Sequence, residues 1–166
     1  MIRSGGGGAL IAATERFHAE LINKDHDGVE HLFLKLPFQK IIFAVLYLPP
    51  SSDECPYIKH INLVTELYEK FKNCKFLLIG GYNLTGITWS TSIPLQRFTS
   101  DRANKKDKAN SEIINNAYAY MDLSQKISNL ASKGYTLDLL YTNFGESDGL
   151  RVLTHFSQTR ETSCIL

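Results

Sequence analysis

The side chains that could do chemistry are spread along this chain rather than gathered in one motif. The densest group is Asp25-His26-Asp27, since carboxylates and imidazole both ligate metals. Adjacent residues on the polar stretch 23–28 seldom converge on one ion, however, so a solvated turn is the better reading. Asp138 stands inside the apolar run 137–142, where a carboxylate needs a partner if it is to be buried. Asn83 follows Gly80-Gly81 and is either a site amide or a turn residue that tolerates the left-handed region. Tyr47 closes the apolar run 41–47, so its hydroxyl either serves a ligand or is the polar end of a core strand. Arg97, Arg102, Lys105, Lys106 and Lys108 could meet phosphates, but Asp101 and Asp107 interrupt them, and a solvated loop is the simpler reading. His18, His31, His60 and His155 share no spacing with cysteines or acids and read as ordinary surface or strand histidines.

Positioning such residues requires a packed scaffold, and the bulk figures allow one. With 166 residues, 43% of them hydrophobic, the chain is sized for a single domain, 1–166, with one core. Its net charge of +1, from 18 Lys+Arg against 17 Asp+Glu, lacks the overall footprint of a dedicated nucleic-acid binder. Cys55, Cys74 and Cys164 are far apart and form no CxxC pair, which argues against a disulfide framework or a zinc site and favours an intracellular compartment. No stretch approaches the ~18 apolar residues of a membrane span, and the first residues lack a signal-peptide core. Neither a membrane nor a protein partner is expected.

Residues 9–14 read as a short buried strand. Residues 29–36 alternate, with Leu32, Leu34 and Leu36 on one face and Phe33 and Lys35 on the other. The run 41–47 reads as a strand covered on both faces and stopped by Pro49-Pro50. Beyond Ser51-Ser52-Asp53, the spacing of Tyr57, Ile61, Val64, Tyr68 and Phe71 predicts an amphipathic helix. A strand over 75–80 then ends at Gly80-Gly81, a polar stretch fills 96–110, and Ile113, Ile114, Ala117, Tyr118 and Met121 mark a second helix. Residues 137–142 and 150–156 read as closing strands. Strand, helix, strand is the grammar of an α/β layered fold.

Three stretches, in order, resemble the retrotransposon branch of the endonuclease/exonuclease/phosphatase superfamily, the domain that precedes the reverse transcriptase in non-LTR elements. Gly6-Gly7-Gly8-Ala9-Leu10-Ile11 followed by Tyr47-Leu48-Pro49-Pro50-Ser51 is similar to a glycine-rich lead-in and a Tyr-Arg-Pro-Pro-Ser segment. Ile79-Gly80-Gly81-Tyr82-Asn83, with Trp89 downstream, resembles the family's Gly-Asp-Phe-Asn motif. Thr136-Leu137-Asp138-Leu139-Leu140-Tyr141-Thr142-Asn143 resembles its Thr-Leu-Asp-Leu-Val-Leu-Thr-Asn strand.

The resemblance implies a partial four-layer α/β sandwich, two packed β-sheets flanked by helices, and an ancestral Mg²⁺-dependent hydrolysis of DNA phosphodiesters, which in the family takes place in the nucleus. By motif position Tyr47 would donate to the scissile phosphate, Asn83 would orient water or bind a phosphate oxygen, and Asp138 would orient a catalytic histidine. Gly81 stands where the family has the aspartate that activates water, and general-base assistance is worth ~10²–10⁴ in rate. The family's metal-binding glutamate and early asparagine have no counterpart ahead of the glycine run. Its terminal Ser-Asp-His has none after Asp138, Ser147-Asp148-Gly149 reading as a turn. The resemblance therefore implies an incomplete domain with an impaired site, no bound Mg²⁺ and weak or absent DNA affinity. Loss of N-terminal strands would leave an open sheet edge, which favours dimerisation or aggregation. A non-catalytic nucleic-acid-binding remnant and a small-molecule phosphoesterase are the competing expectations.

Overall fold

The computed structural model describes residues 11–22, 29–50, 53–87, 103–126 and 138–145, together with the backbone of 153–156 and 162–165. In chain order these form strands β1 (Glu20–Leu21), β2 (Glu30–Leu36) and β3 (Ile41–Tyr47), helix α1 (Glu54–Lys70) and strand β4 (Lys75–Gly81). Helix α2 (Lys105–Tyr120) and strands β5 (Ser124–Gln125), β6 (Asp138–Thr142), β7 (Leu153–Phe156) and β8 (Thr162–Ile165) follow. Six strands make one mixed sheet in the order β1-β2-β3-β4-β6-β5, and β7 pairs with β8 separately. Only β3 and β4 run parallel; the other pairs in the sheet are antiparallel. The parallel pair is joined through α1, as parallel pairing requires a crossover.

Strand alternation sorts the side chains onto two faces. Ile42, Ala44 and Leu46 of β3, Phe76 and Leu78 of β4, and Leu139 and Tyr141 of β6 face one layer. There they meet Tyr57, Ile61, Val64 and Leu67 of α1 and Ile114 and Tyr118 of α2. Each large apolar side chain buried there contributes about 1.5–3 kcal/mol. Phe43, Leu77, Ile79 and Leu140 point the other way and are also buried, with Ile11, Ile41, Val45 and Phe144 packed around them. A strand apolar on both faces was the expectation for 41–47, and β3 has that character.

Helix α1 is preceded by Asp53 in extended conformation, whose side chain makes no cap bond and is held instead by the Lys106 ammonium of α2. At the start of α2, the Asn104 side chain accepts from the Asp107 amide at 2.8 Å, satisfying one of the unpaired amides of a helix start. Tyr120 donates to Glu69 at 3.1 Å, so both ends of the helix pair are tied.

Several expectations need correction. Residues 11–14 are irregular, with 12–14 exposed, and lead into a 3-10 turn, Glu15–Phe17; positions 9 and 10 lie outside the described residues. On β2, Phe33 is fully buried toward the helices and Leu34 and Leu36 are buried as well, so the strand is covered on both faces and its alternation does not separate core from solvent. The polar stretch ends earlier than expected, since Lys105, Lys106 and Lys108 belong to the first turn of α2.

The glycine pair does not break β4 but continues it. Gly80 and Gly81 pair with Leu46 and Tyr47 on one side and with Leu139 and Asp138 on the other. Gly80 has φ +150°, and a Cβ there would stand 1.9 Å from the Leu46 carbonyl oxygen. Only glycine allows β3 and β4 to approach this closely.

Candidate functional site

The carboxyl ends of β3 and β4, where open α/β sheets place their ligands, bring three of the singled-out residues together. Tyr47 ends β3 and lies opposite Gly81, and Gly81 lies opposite Asp138 at the start of β6. In-register neighbours on adjacent strands project to the same face. By the alternation above that face is the one away from the helices, one pleat beyond Val45, Ile79 and Leu140.

Gly81 marks the centre of the arrangement. A Cβ at that position would lie 3.3 Å from Cδ2 of Tyr47, 3.5 Å from Oδ1 of Asp138 and 3.7 Å from Nδ2 of Asn83. One phenol, one carboxylate and one amide thus surround a backbone position that carries no side chain. Tyr47 is 41% exposed although it ends an otherwise buried strand, so it faces solvent at the rim of the site.

Asn83 adopts φ +51°, a left-handed conformation that asparagine tolerates better than most residues. Its Nδ2 donates to the Leu48 carbonyl at 2.6 Å, and the Leu48 amide donates to the Gly81 carbonyl at 2.8 Å. The backbone uses Asn83 as a turn residue, and the turn brings its amide nitrogen beside the Gly81 position. Asp138 is half-buried.

Behind this row the intervening Tyr82 turns into the helix layer and is fully buried. Its carbonyl accepts from the Tyr57 hydroxyl at 2.7 Å, and its hydroxyl lies 2.7 Å from that of Tyr118. Tyr118 in turn lies 2.6 Å from Nε2 of His60, and Nδ1 of His60 is 3.3 Å from Nδ1 of His31. Burial, reinforced by His31, pushes the His60 imidazole down to about 3. Burial also raises the phenols of Tyr82, Tyr118 and Tyr141 well above their ordinary value, so all four rings are neutral at physiological pH. Farther along, the Asp107 carboxylate accepts from the Gly86 amide at 3.1 Å and fixes the chain after Asn83 to α2.

His60 is the residue that the reading as an ordinary histidine missed. The available signal was its place three residues after Tyr57 and four before Val64, on the apolar stripe of α1. The other singled-out residues do not join the site. His18 is exposed, and Lys105, Lys106 and Lys108 lie on α2. His155 is on β7 and Cys164 on β8. Asp25-His26-Asp27, Trp89, Arg97, Arg102 and Ser147-Asp148-Gly149 lie outside the described residues. Among the described residues no group of three or more His, Cys, Asp or Glu side chains is arranged to hold a metal ion, and no helix is long and apolar enough to cross a membrane.

Chemically, the row offers a phenolic donor, an amide and one carboxylate, a set suited to binding a phosphate oxygen or a water. It has no side chain at 81 to take a proton from that water. No protein-family model matches this chain, and no curated protein matches it.

Proposed function

We propose that this chain is a retroelement-derived endonuclease-like domain of the endonuclease/exonuclease/phosphatase type, with little or no nuclease activity and weak DNA affinity. The observation that carries the reading is the convergence of Tyr47, Asn83 and Asp138 on the vacant β-carbon position of Gly81. These are the residues that the motif resemblance selects, and they come from three separate stretches of sequence.

In this reading the Tyr47 hydroxyl and the Asn83 amide contact phosphate oxygens of a DNA backbone, and Asp138 serves as an orienting carboxylate. Attack on phosphorus requires a water stripped of its proton, and Gly81 has no group to receive it. In-line hydrolysis in the family also relies on Mg²⁺, a cation that demands several oxygen ligands in octahedral array. The described residues do not fit it. Asp138 is the one carboxylate in the row, and the Asn83 amide nitrogen, a donor rather than a ligand, is engaged by the Leu48 carbonyl. The second apolar cluster, Phe43, Leu77, Ile79 and Leu140, supports the sandwich part of the proposal, because it is the kind of face a second sheet packs on.

The test is a nicking assay on supercoiled plasmid in Mg²⁺. The purified chain is expected to leave the plasmid supercoiled. Nicking that disappears with Asn83→Ala or Asp138→Ala would overturn the proposal, since it would show a working site without the acid at 81.

A further inference from the structure

The turn after β4 is held through its main chain as well as its side chains. The Leu48 amide donates to the Gly81 carbonyl at 2.8 Å, and the buried Tyr57 hydroxyl donates to the Tyr82 carbonyl at 2.7 Å. Two successive carbonyls are thus fixed, one by the chain leaving β3 and one by α1. A trans peptide is planar, with its C=O and N–H pointing opposite ways. Because the Tyr82 carbonyl points at Tyr57 in the helix layer, the Asn83 N–H of the same peptide points away from that layer. This N–H has no acceptor among the described residues, whereas the Asn83 side-chain nitrogen is already engaged by Leu48.

We propose that Tyr57 is a positioning residue: by holding the Tyr82 carbonyl in the helix layer, it aims the main-chain N–H of Asn83 toward the row, as a donor to an anionic oxygen of the ligand. That the ligand is a phosphate rests on the reading above; the hold on the peptide does not. Asn83 leans toward β3, where its Nδ2 meets the Leu48 carbonyl, while Asp138 starts β6 on the opposite flank of β4. An anion at the Asn83 N–H therefore shares the Tyr47 side of the row and not the side of the carboxylate.

The competing arrangement is a flip of the Tyr82–Asn83 peptide. It would turn the carbonyl out of the helix layer and the N–H into it. The φ of Asn83, +51°, would change by about half a turn, into the negative range that L residues prefer. The backbone preference therefore favours the flip, and the Tyr57 bond opposes it, since a flipped peptide leaves the hydroxyl of a fully buried side chain without its acceptor. Burial, with the Asp107 carboxylate adding to it, raises the Tyr57 phenol above its ordinary value, so the hydroxyl keeps its proton and remains a donor. Loss of that one oxygen removes the opposing force and leaves a carbonyl facing the core with no donor.

NMR on the intact chain and on Tyr57→Phe, which keeps the ring and its packing, tests the proposal. Inorganic phosphate is the probe, set against chloride at equal ionic strength. In the unaltered chain the three-bond HN–Hα coupling of Asn83 is expected at its left-handed value, and its amide proton should move downfield with phosphate. In Tyr57→Phe the coupling should rise toward the extended value, and the phosphate response of that amide should be lost. Tyr118→Phe is the control, because it also removes a buried hydroxyl but one that meets the Tyr82 side chain; it should leave the Asn83 coupling unchanged. An Asn83 coupling that is extended in the unaltered chain, or that ignores Tyr57→Phe, would overturn the positioning role. So would an equal response to Tyr118→Phe, which would mean that any hydroxyl lost from this layer loosens the turn. An Asn83 amide that ignores phosphate in the unaltered chain, with a coupling that still obeys Tyr57, would overturn the donor role and count against the phosphodiesterase reading, so the two failures are told apart.

Discussion

Replacing Gly81 by aspartate would put a second carboxylate beside Asp138. The β-carbon of the new side chain would start 3.5 Å from Oδ1 of Asp138. At a charge separation of roughly 4 Å the repulsion is about 1 kcal/mol in bulk water and about 4 kcal/mol at the effective dielectric of a protein surface. Asp138 is half-buried, so the cost of Gly81→Asp over its uncharged counterpart Gly81→Asn should fall between those limits at pH 7 and low salt. Gly81→Ala supplies the steric baseline. The backbone at 81 is ordinary strand, so a methyl has only to displace the exposed Tyr47 ring, 3.3 Å away, and gains ~0.4–1 kcal/mol from a less flexible unfolded chain.

Urea denaturation of the three variants, alone and combined with Asp138→Asn, gives the coupling directly. Asp138→Asn is expected to recover most of what Gly81→Asp loses relative to Gly81→Asn. The sign with pH is also set. The penalty exists only while both carboxylates are ionised, so Gly81→Asp should be relatively weakest near neutrality and approach Gly81→Asn as pH falls through the carboxylate range. Equal stability of the two at pH 7, with no coupling to Asp138, would refute the convergence of these positions.

Gly80→Ala should cost at least ~3 kcal/mol in chemical denaturation, since it combines a positive φ with a methyl inside the Leu46 carbonyl; near-neutral behaviour would mean that β3 and β4 are not packed this closely. His60 has its folded value, about 3, below the ordinary 6.5. The unfolded chain thus binds the proton first, and stability should decline by up to ~1.4 kcal/mol per pH unit below about 6.5. His60→Gln, which can still donate and accept, should flatten that acid limb. Asn83→Asp should cost ~1–3 kcal/mol at neutral pH, because it replaces the donor to the Leu48 carbonyl by an acceptor, and a thermal melt that matches the wild type would contradict that bond.

The main elements could be read from the chain because their patterns are long and consistent. The apolar run 41–47 is β3, the spacing from Tyr57 to Tyr68 is α1, and of the second stripe Ile114 and Tyr118 are buried on α2, together with the polar Asp107, Asn110 and Ser111. The two-residue strands β1 and β5 were not readable, since two residues carry no period and owe their conformation to the neighbours they pair with. Gly80-Gly81 misled for a physical reason. Glycine weakens isolated strands, yet here it is required by the closeness of two backbones, which only the tertiary fold reveals. At the site, the identities of Tyr47, Asn83 and Asp138 came from motif order, but their meeting around Gly81 depends on the register β3-β4-β6. That β6 pairs directly with β4 is a long-range fact with no local signal.

The most direct measurement is an amide NMR titration of the whole chain with a short DNA duplex at low and moderate salt. Tyr47, Gly81, Asn83 and Asp138 are expected to shift together, weakly, and less at higher salt, as phosphate contacts require. Shifts confined to other surfaces, or none at the row even at low salt, would contradict it.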